Sequence, residues 1–282
     1  MEIVKGKYSG FCAGVNYTYI NALKELENGP LYCLGEIIHN ELVIKELEDK
    51  GMITVQKIED VKDNSSVIFR AHGEPYSSYV YAKNHNIKVI DLTCPKVKMI
   101  HNKVNEYKKE YFIIIIGKKT HPEIIGTIGF CDNNYYVIEN LDDLDKVHSE
   151  FIKSKMNKVV VISQTTFSSA LFDSLVLKIK DIFNNNEVLI DKSICNATEK
   201  RQKECEDISK KVSLMLVIGS KHSSNTKELY NIAKKNCTDV FLIENVLDLN
   251  NIDIKSNKIG VVAGASTPNY LIDCIISNLV LK

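Results

Sequence analysis

Gly10-Phe11-Cys12-Ala13-Gly14-Val15 sets a cysteine among small residues, after a short apolar run and before a pattern of helical spacing. The same grammar returns in Ile90-Asp91-Leu92-Thr93-Cys94-Pro95 and in Ile190-Asp191-Lys192-Ser193-Ile194-Cys195-Asn196-Ala197-Thr198. Each is an apolar run of β type, a polar turn, a cysteine and then helical periodicity. Three cysteines delivered by one local design read as a single site assembled from three places.

Outward from these cysteines the register persists, as in an internal repeat. Cys12 to Gly35 is 23 residues, Cys94 to Gly117 is 23 and Cys195 to Gly219 is 24. Each glycine ends an apolar run, and four residues later a polar residue is expected to open the next helix: His39, His121 and Ser223. The strings Lys57-Ile58-Glu59-Asp60, Val137-Ile138-Glu139-Asn140 and Leu242-Ile243-Glu244-Asn245 are then expected to correspond. After each comes a strand-type run ending in a polar or glycine-rich loop, at Ala71-His72-Gly73, Gln164-Thr165-Thr166 and Gly264-Ala265-Ser266.

Short apolar runs alternating with helices of 10 to 15 residues predict an α/β fold with mainly parallel sheets. The repeat divides the chain into an N-terminal strand and first cysteine loop (1–12) and three similar α/β units (13–93, 94–193 and 194–282). A pseudo-threefold arrangement with the strand ends inward would bring the cysteines together. Ligands of such sheets sit beyond the carboxyl ends of strands, and Cys12, Cys94, Cys195, His39, His72, His121, Thr165, Ser223 and Ser266 all follow strand-type runs. After Cys12, the spacing of Val15, Tyr19, Leu23 and Leu26 predicts the buried face of a helix ended by Gly29. Val97, Ile100, Val104 and Tyr107 do the same after Cys94.

The 282 residues include 36 acidic and 36 basic side chains, so nothing suggests a general affinity for nucleic acid or an anionic membrane. No apolar run approaches the roughly 20 residues that span a bilayer, and the first residues lack a secretory or transit pattern. A cytoplasmic protein is expected. Its eight cysteines then do not read as a disulfide framework, and no C-x-x-C pair suggests a zinc knuckle or redox dithiol. Cys33, Cys205 and Cys274 are expected to be small buried hydrophobes.

Three thiolates without a fourth equivalent suit a 4Fe-4S cluster, which usually takes four; three ligands leave one iron open to substrate. Zinc on three cysteines and a histidine is the other reading of the same residues, although their separation is unlike compact structural zinc loops. Gly219-Ser220-Lys221-His222-Ser223-Ser224-Asn225 is a glycine turn entering a helix, with free N–H groups, a positive dipole end and side-chain donors suited to phosphate. Ala263-Gly264-Ala265-Ser266-Thr267-Pro268 is a second such turn. Two of them, with His39 and His72 in matching positions, point to a diphosphate. His121-Pro122-Glu123 places a carboxylate at a site-facing turn, where burial would raise its pKa and fit it to carry a proton, beside the hydroxyls of Thr165 and Thr166.

Taken in order, Phe11–Val15, Ala71–Gly73, Thr93–Pro95, His121–Glu123, Gln164–Thr166, Cys195–Thr198, Gly219–Asn225 and Ala263–Ser266 resemble the 4-hydroxy-3-methylbut-2-enyl diphosphate reductase family, also called IspH or LytB. The match runs from residue 10 to about 275. The resemblance implies the last step of the non-mevalonate isoprenoid pathway, in which a 4Fe-4S cluster takes the substrate's allylic hydroxyl at its open iron. Two electrons and protons then remove that oxygen as water, giving isopentenyl and dimethylallyl diphosphate. It implies cluster ligation by Cys12, Cys94 and Cys195, and diphosphate binding by His39, His72, Ser223, Ser224, Asn225 and Ser266 with His121 nearby. Glu123 would be the proton relay, Thr165 would orient the hydroxyl with it, and reduced ferredoxin or flavodoxin would be the electron donor. Glu74 and Ile125 depart from the family pattern and are expected to change loop packing only. Readings that compete on the residues alone are an iron-sulfur dehydratase, an iron-sulfur sensor or electron carrier, and a zinc-stabilised binding module.

Overall fold

The computed structural model describes residues 1–254 and 256–280. In chain order the first elements are β1 (Glu2–Lys5), α1 (Ala13–Leu26), β2 (Leu31–Leu34), α2 (Glu41–Glu48), β3 (Met52–Val55), β4 (Ser66–Phe69), α3 (Tyr76–Asn84) and β5 (Lys88–Asp91). Then come α4 (Pro95–Tyr107), β6 (Phe112–Ile116), α5 (Pro122–Ile128), β7 (Tyr135–Ile138), α6 (Leu144–Ser154), β8 (Lys158–Ser163), α7 (Ser169–Ile182) and β9 (Glu187–Ile190). The last are α8 (Asn196–Ser209), β10 (Leu214–Ile218), α9 (Ser224–Asn236), β11 (Asp239–Ile243), β12 (Lys258–Ala263) and α10 (Asn269–Val280).

The strands form three four-stranded sheets, ordered β3-β2-β4-β5, β7-β6-β8-β9 and β11-β10-β12-β1. Every pairing among the described strands is parallel, as the strand–helix alternation predicts. The three orders are one topology used three times. In the third sheet, β1 from the start of the chain takes the place that β5 and β9 hold in the others. All five residues of Phe112–Ile116 and of Leu214–Ile218 are buried, because these inner strands are covered by helices on both faces. The fold class is therefore α/β with three similar parallel sheets. Among the described residues no helix is long and apolar enough to cross a membrane.

By compactness the chain divides into two units. One comprises Met1–Asn16, Ile38–Leu47 and Asn196–Lys282 and holds the β11-β10-β12-β1 sheet; the other comprises Tyr17–Ile37 and Glu48–Cys195 and holds the remaining two sheets.

Three sequence expectations change. The glycine bonds fix the true repeat register: Gly35 donates to Val55 O at 2.7 Å, Gly117 to Ile138 O at 2.9 Å and Gly219 to Ile243 O at 2.8 Å. Gln56-Lys57 therefore matches Glu139-Asn140 and Glu244-Asn245, three residues earlier than the Ile-Glu string suggested. α1 buries Thr18, Ala22 and Leu26, with Val15, Tyr19 and Leu23 only half-buried, so a threonine sits at the centre of its inner face. Cys33 and Cys205 are fully buried as expected, but Cys274 is exposed on the outer side of α10.

Candidate functional site

The predicted functional side chains all lie in loops or first helical turns that follow strands. Each cysteine loop is tied down in the same way. Cys94 N–H donates to Ala71 O at 3.0 Å, Cys195 N–H to Thr165 O at 3.0 Å and Cys12 N–H to Ala265 O at 3.1 Å. Ala71, Thr165 and Ala265 are each the second residue after β4, β8 and β12, so one backbone bond recurs at one position in all three sheets. None of the three cysteines is in a disulfide, all are half-buried, and α1, α4 and α8 begin on the next residue. A sulfur at a helix N-terminus faces N–H groups that have no acceptor within the helix. Cys12 Sγ shows this directly, accepting from Val15 N–H at 3.4 Å. Burial pushes the Cys33, Cys131 and Cys205 thiols up to about 12, which suits packing rather than ligation. Three accessible soft donors on pinned backbone fit an iron-sulfur cluster, so the donor set agrees with that group.

In the unit that holds Cys94 and Cys195, the most deeply buried acid among the described residues is Glu123. It lies in the first turn of α5, whose start is set by Pro122 and by His121 as the capping residue. His121 Nδ1 accepts from Glu123 N–H at 3.1 Å, which leaves the ring proton on Nε2. Only 2% of Glu123 is exposed. Thr165 N–H donates to its Oε1 and Thr165 Oγ1 meets its Oε2, both at 2.6 Å. Burial pushes the Glu123 carboxyl up to about 7, against the two Thr165 bonds that hold it down. It is thus poised to hold and release a proton near neutrality. Thr165 is a shared member, since its carbonyl takes the Cys195 N–H while its amide and hydroxyl take the carboxylate. Gln164 Nε2 donates to Thr166 Oγ1 at 2.8 Å and Gln164 Oε1 accepts from Lys118 N–H at 3.1 Å, which fixes the loop. The His72 ring stands edge-on to His121 at 5.5 Å between centroids.

In the other unit, Ser223 caps α9 by accepting from Thr226 N–H at 3.3 Å. Ser224 and Asn225 are buried beside it, and neither Asn225 Nδ2 nor Oδ1 has a hydrogen-bond partner among the described residues. A buried amide with neither end satisfied costs about 1–3 kcal/mol, which is the mark of a group shaped for a ligand. The turn before it needs Gly219: its φ is +143°, and a Cβ there would stand 2.7 Å from both Thr226 Oγ1 and Thr267 Oγ1. Ser266 Oγ donates to the His39 carbonyl at 3.1 Å, so these two predicted ligands are neighbours. The cap of α2 is Asn40, whose Oδ1 accepts from Val43 N–H, not His39 as the spacing suggested; His39 lies one residue earlier in the loop.

Near this site lie the two departures from the family pattern, Glu74 and Ile125, and one residue the sequence did not single out, His101. Glu74 is buried and paired with Arg70 Nε at 2.8 Å, and burial raises its carboxyl pKa; the departure it represents is absorbed as an internal ion pair. Ile125 faces solvent and changes nothing around Glu123. His101 on α4 is buried, stacks on Phe130 at 4.3 Å and is held down to about 4 by desolvation, so its imidazole is neutral. A Cβ on Gly73, where φ is +77°, would lie 2.6 Å from the His101 ring, so this histidine shapes the His72 loop from beneath. Only the periodicity of α4 hinted at it, by placing residue 101 beside Ile100 on the inner face.

The LytB protein family model matches residues 3–280. A 4-hydroxy-3-methylbut-2-enyl diphosphate reductase of Clostridioides difficile (strain 630) is 38% identical, over 99% of this chain and 99% of its own. Its namesake in Thermoanaerobacter sp. (strain X514) is 38% identical, over 99% of this chain and 96% of its own. Among solved structures, the E-1-hydroxy-2-methyl-but-2-enyl-4-diphosphate reductase of Plasmodium falciparum superposes with a TM-score of 0.90 at 32% identity, covering 99% of this chain and 88% of that one. A second, described as (E)-4-hydroxy-3-methyl-but-2-enyl diphosphate reductase, the terminal enzyme of the non-mevalonate pathway, gives 0.70 at 32% identity with both chains fully covered. With a family match from end to end and the same sheets, loops and carboxylate the sequence motifs required, the chain belongs to the LytB family of oxidoreductases.

Proposed function

We propose that this chain reductively removes the hydroxyl of 4-hydroxy-3-methylbut-2-enyl diphosphate, giving isopentenyl and dimethylallyl diphosphate as the last step of non-mevalonate isoprenoid synthesis. Cys12, Cys94 and Cys195 would hold a 4Fe-4S cluster, one per chain. When bound, such a cluster supplies electrons and a Lewis-acidic iron with an open position. The balance is two electrons and two protons taken up and one water released, with the diphosphate unchanged. No side chain here can donate the electrons, so a reduced ferredoxin or flavodoxin in the cytoplasm is the partner.

The observation that carries this reading is the fully buried Glu123, held at a pKa of about 7 and clamped through Thr165 to the loop of Cys195. A sensor or electron carrier has no use for a buried acid of this kind. Its proton goes to the departing hydroxyl, and the Thr165 hydroxyl orients that oxygen. Side-chain donors hold the other end of the substrate: His39, His72, Ser223, Ser224, Asn225 and Ser266 bind the diphosphate, with the His121 ring beside that of His72. Binding energy taken from a diphosphate remote from the reacting bond is spent on aligning the hydroxyl with the acid. The test is anaerobic purification with iron and sulfide determination, then mass analysis of products after incubation with dithionite and substrate. About four irons per chain with both five-carbon diphosphates formed is the expected result; zinc in place of iron, or an unreduced product, overturns it.

A further inference from the structure

The helix that starts beside one cysteine reaches the loop that carries another. Thr18 in α1 lies six residues after Cys12 and is fully buried; its Oγ1 donates at 2.9 Å to the carbonyl of Leu92, two residues before Cys94. Arg201 in α8 lies six residues after Cys195 and is 7% exposed; its Nη2 donates at 2.7 Å to the carbonyl of Gly10, two residues before Cys12. The offsets are the same in both links. In α4 the sixth residue after Cys94 is Ile100, which has no donor, and the third link is made further along that helix. There Lys103 Nζ and Tyr107 Oη meet Asp191 Oδ2 at 2.6 and 3.0 Å, four residues before Cys195. Ser193 Oγ donates back to the Asp191 carbonyl at 2.9 Å.

These side chains are expensive choices for packing alone. A mid-helix threonine lowers helix propensity, and a buried guanidinium costs desolvation that only good hydrogen bonds offset. What they secure is the backbone just before a cysteine. Loops are the mobile parts of a fold, whereas metal ligands must hold their places within fractions of an ångström. Partners that touch the loop rather than the metal orient ligands in this way.

We propose that Thr18, Arg201 and the Lys103–Asp191 pair are positioning residues for the iron-sulfur cluster, each fixing the backbone just before one cysteine: Thr18 before Cys94, Arg201 before Cys12 and the Lys103–Asp191 pair before Cys195. This rests on the cluster reading above. The test compares Thr18→Val, Thr18→Ser, Arg201→Met and Asp191→Asn with the parent protein, each reconstituted anaerobically. Three quantities are read: the apo-protein melting midpoint, the rate of iron loss to a ferrous chelator, and the electron paramagnetic resonance spectrum of the reduced cluster. Thr18→Val, Arg201→Met and Asp191→Asn are expected to lose iron at least about tenfold faster and to show shifted spectra, while apo midpoints stay within a few degrees and Thr18→Ser behaves as the parent. Asp191→Asn, at the partly exposed link, keeps the test open where a more buried variant fails to fold. Parental chelation rates and spectra in all variants would overturn the inference while leaving the cluster reading intact. Iron loss that tracks apo stability, with no rescue by serine, would also overturn it. A parent protein that binds no iron would instead sink the reading beneath it.

Discussion

Glu123 and Asn225 hold the same place in two repeats, six residues after Gly117 and Gly219 and second in α5 and α9, yet the carboxylate of one is fully partnered and the side-chain amide of the other has no hydrogen-bond partner among the described residues. The difference lies two residues beyond the neighbouring strand. There β8 is followed by Thr165, whose amide and hydroxyl take both carboxylate oxygens, and β12 by Ala265, which has no hydroxyl to give. One repeat holds a buried carboxylate with both oxygens partnered, the acid of the proposed reaction; the other holds a buried amide that the proposed function assigns to binding. The two corners thus differ at two equivalent positions, Glu123 against Asn225 and Thr165 against Ala265, on a backbone whose cysteine bond is the same in both.

Glu123→Gln breaks the first half most severely. It preserves shape and removes the proton, and the expected loss is 10²- to 10⁴-fold in turnover with cluster content unchanged, read as kcat with iron per chain. Thr165→Val sharpens the comparison by making the acid corner resemble Ala265. Losing a hydrogen bond to the charged carboxylate lowers turnover roughly ten- to hundredfold. It also raises the Glu123 pKa further, so the falling limb of the pH–rate profile, expected near 7 because the acid form is the active one, moves to higher pH.

The apo-protein offers a third test through linkage. The folded pKa of Glu123, about 7, is above its ordinary 4.5, so the unfolded chain loses this proton first as pH rises. The contribution of Glu123 is therefore fully present below about 4.5 and is lost as pH rises toward 7, a change of roughly 3 kcal/mol. Denaturant titrations of wild type and Glu123→Gln across that window should diverge by this amount, with the glutamine variant lacking this slope. The smallest effect belongs to Asn225→Leu. Removing an unpartnered buried amide should stabilise the ligand-free chain by about 1 kcal/mol, seen as a higher melting midpoint, while KM rises about tenfold or more. A lower midpoint with unchanged KM would mean that Asn225 is merely packed.

Much of this was legible because the repeat puts its chemistry at fixed offsets. The glycine that ends an inner strand, the polar cap four residues on and the cysteine after the outer strand are local signals, and parallel sheets follow from their alternation. The register slipped in the first repeat because Ile58-Glu59 copies the letters of Ile138-Glu139 without copying the bond from Gly35 to Val55. Asn40 displaced His39 as a cap because two capable side chains are adjacent, and spacing alone does not choose between them. Thr18 and Arg201 were invisible for a different reason: their partners lie 74 and 191 residues away, and only tertiary structure reveals a carbonyl as a partner. Cys274 failed because a cysteine on a helical pattern carries no sign of which face it occupies.

The most direct test of the central claim follows anaerobic oxidation of reduced viologen by cluster-loaded protein, with and without 4-hydroxy-3-methylbut-2-enyl diphosphate, in wild type and Glu123→Gln. Substrate-dependent oxidation by wild type, lost in a variant with equal iron and sulfide, is the predicted result. A glutamine variant as fast as wild type would contradict the assignment of the proton to Glu123, and a loaded wild type that leaves the dye untouched would contradict the reductase itself.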